Sequence, residues 1–182
     1  MAQGGGAPPE WDSEWVYTDG FPTVKGWELT TTGGTNSMTS TGLKLIGNRY
    51  IWSSGATNGI IEAKFQIASA SSSMTLTRAV LRIGDSANAV SVIFRSYSGS
   101  HRIRLYDNST QQSGTNLGAF TLGSWYVVRL EINGSTGKVI INGDVAAENV
   151  DTARMYSKGV PQFGAYDSYG GSVWEYVKMK VS

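Results

Sequence analysis

The sequence predicts an all-β protein built as an antiparallel two-sheet β-sandwich, and three observations predict it. Apolar and polar residues alternate with period two over many short stretches, the mark of half-buried strands. Turn-forming dipeptides rich in Gly, Asn and Ser separate those stretches, and Gly totals 23. No segment shows a sustained helical period; only Asp151–Tyr156 has room for a single helical turn. Many short strands at regular spacing make a sandwich or a barrel.

Along the chain, Met1–Glu10 is dominated by Gly and Pro and reads as an arm or linker. The folded domain, 11–182, begins near Trp11. Met38, Leu43 and Leu45 mark one or two early strands, and Arg49-Tyr50-Ile51-Trp52 another. Ile61, Ala63, Phe65 and Ile67 alternate with Ile60, Glu62, Lys64 and Gln66. The Ser-rich stretch Ala68–Ser73 is a loop. Val90, Val92 and Phe94 form a strand that turns near Gly99 into one carrying Ile103 and Leu105. From Trp125 to Val150 the order is strand, short loop at Asn133-Gly134, strand, tight turn at Asn142-Gly143, strand. The last strand alternates Val173, Glu175, Val177, Met179 and Val181 with Trp174, Tyr176, Lys178 and Lys180.

Composition excludes several function classes. The chain has 15 basic and 14 acidic residues, a net charge of +1, so the overall basic excess of a nucleic-acid binder is missing. With no Cys and one His, a disulfide framework, a thiol nucleophile and a zinc centre are all unexpected. No apolar run reaches the length of a membrane-spanning helix, so no membrane insertion is expected. The N-terminus has neither a basic nor an apolar signal-peptide region. No Gly-x-Ser-x-Gly elbow, phosphate loop or dinucleotide fingerprint occurs.

The second half resembles the concanavalin A-like lectin and glucanase superfamily, especially its laminin-G-like modules. The resemblance lies in Ser124-Trp125-Tyr126-Val127-Val128-Arg129-Leu130-Glu131-Ile132, then Asn133–Val139, Ile141-Asn142-Gly143, Phe163-Gly164-Ala165 and Trp174-Glu175-Tyr176-Val177. Gly59–Phe65 is similar to an early strand of the same family. The resemblance implies a jelly roll with one concave and one convex sheet, saccharide binding on the concave face or its rim, and a structural calcium ion. No other cofactor is expected. It also implies packing roles for Trp125 and Trp174.

Glucanases of that superfamily carry a Glu-x-Asp-x-Glu strand, which sets paired carboxylates on one face for acid/base hydrolysis. Here Glu62 and Glu131 are isolated, Glu175 has no carboxylate two residues away, and Glu62 reads as a solvated strand residue. A lyase reading would take His101 or Tyr106 as base beside Arg102 and Arg104; a basic solvent-facing strand explains the same residues. Non-catalytic binding is the expectation.

Sugar binding needs aromatic faces for C–H surfaces and planar polar groups for hydroxyls. Three candidate sites follow. Tyr50 and Trp52 share a strand face, with Ile51 turned to the core. Tyr97, Arg102, Arg104 and Tyr106 lie on the two strands of one hairpin, where arginine suits an acidic glycan. Tyr166, Asp167 and Tyr169 lie in a loop at one end of the sandwich. Asp85, Asp107, Asp144, Asp151 and Asp167 are too scattered to predict a metal site.

The expectation is a lectin-like module that binds glycans, displayed on a bacteriophage capsid or tail and held there through Met1–Glu10. Its location would be the virion surface or the extracellular space. The alternatives are a structural decoration protein without a ligand and a polysaccharide lyase or hydrolase; a homo-oligomer stays open.

Overall fold

The computed structural model describes residues 16–17, 28–31, 37–39, 42–45, 48–53, 59–68, 77–84, 89–97, 99–106, 114–152, 162–168 and 172–181. Side chains are described for 59–68, 90–97, 99–106, 114–152 and 172–175. The expected arm Met1–Glu10, the loop Ala68–Ser73 beyond Ala68, the turn Asp151–Tyr156 beyond Thr152, and Tyr169 lie outside the described residues.

Among the described residues, fifteen strands form two antiparallel sheets. The first sheet contains β1 (Val16–Tyr17), β3 (Ser37–Thr39), β4 (Gly42–Leu45), β6 (Gly59–Ile67), β11 (Trp125–Asn133), β12 (Thr136–Ile141), β13 (Asp144–Asp151) and β15 (Ser172–Val181). Its order is β13-β12-β11-β6-β15-β4-β3, with β1 also on β15. The second contains β2 (Glu28–Thr31), β5 (Asn48–Ser53), β7 (Thr77–Gly84), β8 (Ala89–Tyr97), β9 (Ser100–Tyr106), β10 (Thr115–Ala119) and β14 (Gln162–Ser168). Its order is β10-β9-β8-β7-β14-β5-β2. This is the all-β sandwich that the alternation predicts, with the jelly-roll architecture that the resemblance implies, and no helix occurs among the described residues.

The period-two pattern becomes core directly. Ile61, Ala63, Phe65 and Ile67 of β6 meet Val128, Leu130 and Ile132 of β11 on the inner face of the first sheet. Val90, Val92, Phe94, Ile103 and Leu105 supply the inner face of the second. Phe65 joins the layers: its ring lies edge-on to Phe94 at 4.9 Å and 4.5 Å from Trp174. Such aromatic pairs add about 1 kcal/mol each beyond burial.

In β15 a bulge between Trp174 and Tyr176 changes the simple alternation of the last strand. Trp174 pairs with Phe65 and is fully buried, while past the bulge Val177 and Met179 pair with the inward positions Ala63 and Ile61. One extra residue thus lets two out-of-phase apolar series serve one core. The buried indole N–H of Trp174 donates to Ser172 Oγ at 2.8 Å.

The stretch from Trp125 to Val150 folds as its turns predict. At Asn142-Gly143 both residues take positive φ, 52° and 91°, the signature of a two-residue type I′ hairpin. Asn142 Oδ1 accepts from the Val127 N–H at 2.8 Å, and Asn142 N–H donates to the Val127 carbonyl at the same distance. The turn is tied to β11 as well as to its own hairpin.

Candidate functional site

The outer faces of the two sheets differ in how they handle charge. On the first, four ion pairs occur among the described residues. Arg129 Nε donates to Glu62 Oε2 at 2.7 Å, and Arg129 also reaches Glu131 at 3.5 Å. Lys64 pairs with Glu175 at 2.7 Å and sits 5.6 Å from the centre of the Trp125 ring. Lys138 and Glu148 lie 3.7 Å apart. Glu62 is therefore not the solvated residue its sequence context predicts: only 5% of it is exposed. The direct cross-strand pairing of Arg129 with Glu62 is the reason, because it lets a carboxylate sit among neighbours at a tolerable desolvation cost. Burial disfavours the charged form of Arg129, but hydrogen bonds and charges from Glu62 and Glu131 outweigh it and raise the pKa above the ordinary arginine value. Trp125 lies partly exposed on this outer face, with Lys64 against its ring, while Trp174 is in the core.

The second sheet's outer face carries the candidate site. β8 and β9 form a hairpin, with Tyr97 opposite Ser100, Arg95 opposite Arg102, Ile93 opposite Arg104 and Ser91 opposite Tyr106. Gly99 has φ of 74°, which the tight loop requires. Ile103 and Leu105 point to the core, so Arg102 and Arg104 emerge on the opposite side. A cavity of about 190 Å³ lies there, lined by Arg95, Tyr97, Ser100, Arg102 and Arg104.

Each group in the cavity is oriented. The Arg95 guanidinium sits 5.2 Å from the centre of the Tyr97 ring. Arg102 Nε donates to Ser100 Oγ at 3.0 Å, and an Arg104 N–H donates to the Gly114 carbonyl at 3.3 Å. Tyr97 is 46% exposed, an unusual exposure for a large ring. Among the described residues, no carboxylate forms an ion pair with Arg95, Arg102 or Arg104. Guanidinium groups with free N–H donors beside an open aromatic face can take a carboxylate, sulfate or phosphate by paired hydrogen bonds while stacking a ring.

The sequence candidates are distributed unevenly around this cavity. Tyr97, Arg102 and Arg104 line it together. Tyr106 lies on the same side of β9 but is 8% exposed and does not line it. Space at Gly114 is tight against the Tyr106 ring: a Cβ there would come within 2.7 Å of it. His101 takes the opposite side of β9, where Nδ1 lies 2.9 Å from the buried Ser96 Oγ and the ring packs 5.5 Å from Phe120. His101 does not line this cavity, although it borders a second, open one together with Arg102.

Tyr50 and Trp52 occupy β5, where their register positions continue the rows of Ala165, Leu81 and Val92 and of Phe163, Ile83 and Val90. Val92 and Val90 are core residues. It is Ile51, not the aromatic pair, that shares a row with Gly164, Arg82 and Ser91. Tyr166 and Asp167 belong to strand β14 and not to a loop. Their rows differ: that of Tyr166 runs through Val80 and Ile93 to Arg104, and that of Asp167 through Ala79 to Phe94.

Arg95 completes the cavity, and sequence reading missed it. Its signal was present, since Arg95 alternates with Phe94 and Ser96 and so falls on the side away from the core.

No protein-family model matches the chain, and no curated protein matches it. Solved structures do match in fold. A Crh5 transglycosylase in complex with NAG superposes with a TM-score of 0.65 at 11% identity, over 93% of this chain and 85% of that one. The Emp46p carbohydrate recognition domain gives 0.61 at 11% identity, over 85% and 88%. The carbohydrate-binding module CBM66 from Bacillus subtilis gives 0.52 at 14% identity, over 86% and 92%. A Trypanosoma rangeli sialidase gives 0.63 at 10% identity over 91% of this chain, which spans only 30% of the sialidase. Enzymes and binding modules share this architecture, and the likeness shows the jelly-roll β-sandwich fold.

Proposed function

We propose that this domain is a non-catalytic carbohydrate-binding module whose site is the Arg95–Tyr97–Arg102–Arg104 face of the β8–β9 hairpin. The observation that carries the reading is the cavity itself, with an exposed tyrosine ring and three oriented guanidinium groups that have no carboxylate partner among the described residues. The ring suits the C–H face of a sugar, and the guanidinium groups suit its hydroxyl and acidic substituents. The fold likeness to a carbohydrate-binding module and a carbohydrate recognition domain supports the reading. Against catalysis, Arg129 stands between Glu62 and Glu131, and His101 and Tyr106 take opposite sides of β9.

The test is a glycan-array screen of the purified domain, with and without calcium, repeated with Tyr97→Ala and Arg102→Ala. Binding that falls at least tenfold in both variants, with folding intact, is the expected result. Binding that neither variant changes would move the site elsewhere. Absence of binding under every condition would favour a structural role. Display on a virion through Met1–Glu10 is the further part of the proposal. Deleting that segment should abolish incorporation into particles and leave glycan binding unchanged.

A further inference from the structure

We infer that the ligand is an extended polyanionic glycan, one with carboxylate or sulfate groups along its length, and that it lies across the strands of the second sheet well beyond the hairpin cavity. The inference rests on the proposed carbohydrate site and deepens it.

The arginines fall unevenly over the molecule. The chain has eight, and six of them (Arg49, Arg78, Arg82, Arg95, Arg102 and Arg104) occupy three adjacent rows of the second sheet that alternate with the core rows. One row reads Ser168, Arg78, Arg95, Arg102, Ala119 across five strands. The next reads Arg49, Tyr166, Val80, Ile93, Arg104, Asn116. The third reads Glu28, Ile51, Gly164, Arg82, Ser91, Tyr106.

Like charges directly opposite on neighbouring strands destabilise a sheet. Arg78, Arg95 and Arg102 are three in succession, with no acidic residue in their row. Glu28 is the one carboxylate in the three rows, and it stands three strands from Arg82, about 14 Å at the usual strand spacing. The same molecule shows the opposite habit on its first sheet, where Arg129, Lys64 and Lys138 each meet a glutamate across strands. A face that pairs its charges and a face that stacks one sign are different solutions, and the second is stabilised when an anion covers it.

Geometry sets the shape of that anion. The rows are about 7 Å apart along the strands, and Arg49 to Arg104 spans four strand spacings, about 19 Å. A single acidic sugar cannot reach that far, whereas an oligosaccharide with a charge on each repeat can. A polynucleotide is the less fitting polyanion. The chain as a whole is only +1, and among the residues whose side chains are described Tyr97 is the one large ring exposed on this face, whereas single-strand binders stack successive bases.

The experiment is calorimetric titration of the whole chain with dextran sulfate, neutral dextran, polygalacturonate and single-stranded DNA, at about 50 and about 200 mM salt. Expected are binding to dextran sulfate and polygalacturonate and none to dextran. Affinity should fall at least tenfold at the higher salt. Arg78→Ala and Arg82→Ala, on β7 and so outside the β8–β9 hairpin, should each weaken binding about threefold or more, and Lys64→Ala on the other sheet should not. Salt-insensitive binding of neutral saccharides that is lost in Arg102→Ala would overturn the polyanion and leave the carbohydrate site standing. Tighter binding of DNA than of either polysaccharide would overturn it in favour of nucleic acid. Polyanion binding untouched by Arg78→Ala and Arg82→Ala would confine the site to the hairpin and overturn the extended mode. Failure to bind any saccharide, charged or neutral, would remove the carbohydrate reading and this inference with it.

Discussion

Glu62 and Arg129 face each other across β6 and β11 with 2.7 Å between Oε2 and Nε, and the glutamate is almost wholly buried there. Arg129→Met is expected to lower stability by about 2 kcal/mol. That is less than the roughly 3–5 kcal/mol of a fully buried pair, since about a third of the arginine side chain is exposed. Urea unfolding followed by tryptophan fluorescence measures it; a change below about 0.5 kcal/mol would show that Glu62 does not need this partner. The raised arginine pKa gives stability that is fully present below the unfolded value and lost only as pH climbs through the folded one, so Arg129 itself adds no pH dependence near neutrality.

Gly114→Ala tests the support of the site. The new Cβ would fall 2.7 Å from Tyr106 Cε1, so either the ring or the backbone of residue 114, whose own carbonyl accepts from Arg104, must move. A stability loss of about 1–3 kcal/mol is expected, as for overpacking elsewhere. Glycan affinity should fall as well. Unchanged affinity would separate the loop from the arginine face.

Ser172→Ala removes the acceptor of the buried Trp174 N–H. The expected cost is about 1–3 kcal/mol, the range for a buried donor left without its partner. The midpoint of thermal unfolding should fall accordingly, and near-ultraviolet dichroism should report a changed indole environment.

His101→Ala distinguishes binding from lyase chemistry. Because the ring packs on Phe120 and reaches Ser96, the substitution should cost about 1 kcal/mol of stability and leave glycan affinity within twofold of the parent. Turnover of a uronate polymer by the parent and its loss in the variant, read as new absorbance from the unsaturated product, would reinstate the enzyme.

Arg102→Lys keeps the charge and loses the planar fork. Affinity for an acidic glycan should drop severalfold, with the salt dependence nearly unchanged. Equal affinity would mean that only the charge is read.

Much of the architecture was legible because a strand's side-chain period is two and turn chemistry is local. Val128, Leu130 and Ile132 declare their shared face, and Asn142-Gly143 declares its turn. What could not be read was which strands become neighbours. Glu62 looks solvated until Arg129, 67 positions away in sequence, is placed beside it. Tyr50 and Trp52 look like a platform until their register joins them to the rows of Val92 and Val90. The arginine face was half visible. Arg102 and Arg104 share a strand and can be paired by eye, whereas the row from Arg78 through Arg95 to Arg102 exists only once three strands are in register.

The position of β6 has a consequence for how the molecule comes into being. Its two neighbours, β11 and β15, are both encoded downstream, and β15 is the last strand of the chain. During synthesis this strand therefore emerges with neither partner available, while β7 to β10 can zip up as a sequential meander. Closing the loop from β6 to β15 carries a large entropic penalty before any contact repays it, the situation that makes all-β sandwiches slow folders. Refolding from urea should thus show the meander protected from hydrogen exchange early and β6 late. Truncation before β15 should leave a chain that collapses without acquiring a native sandwich.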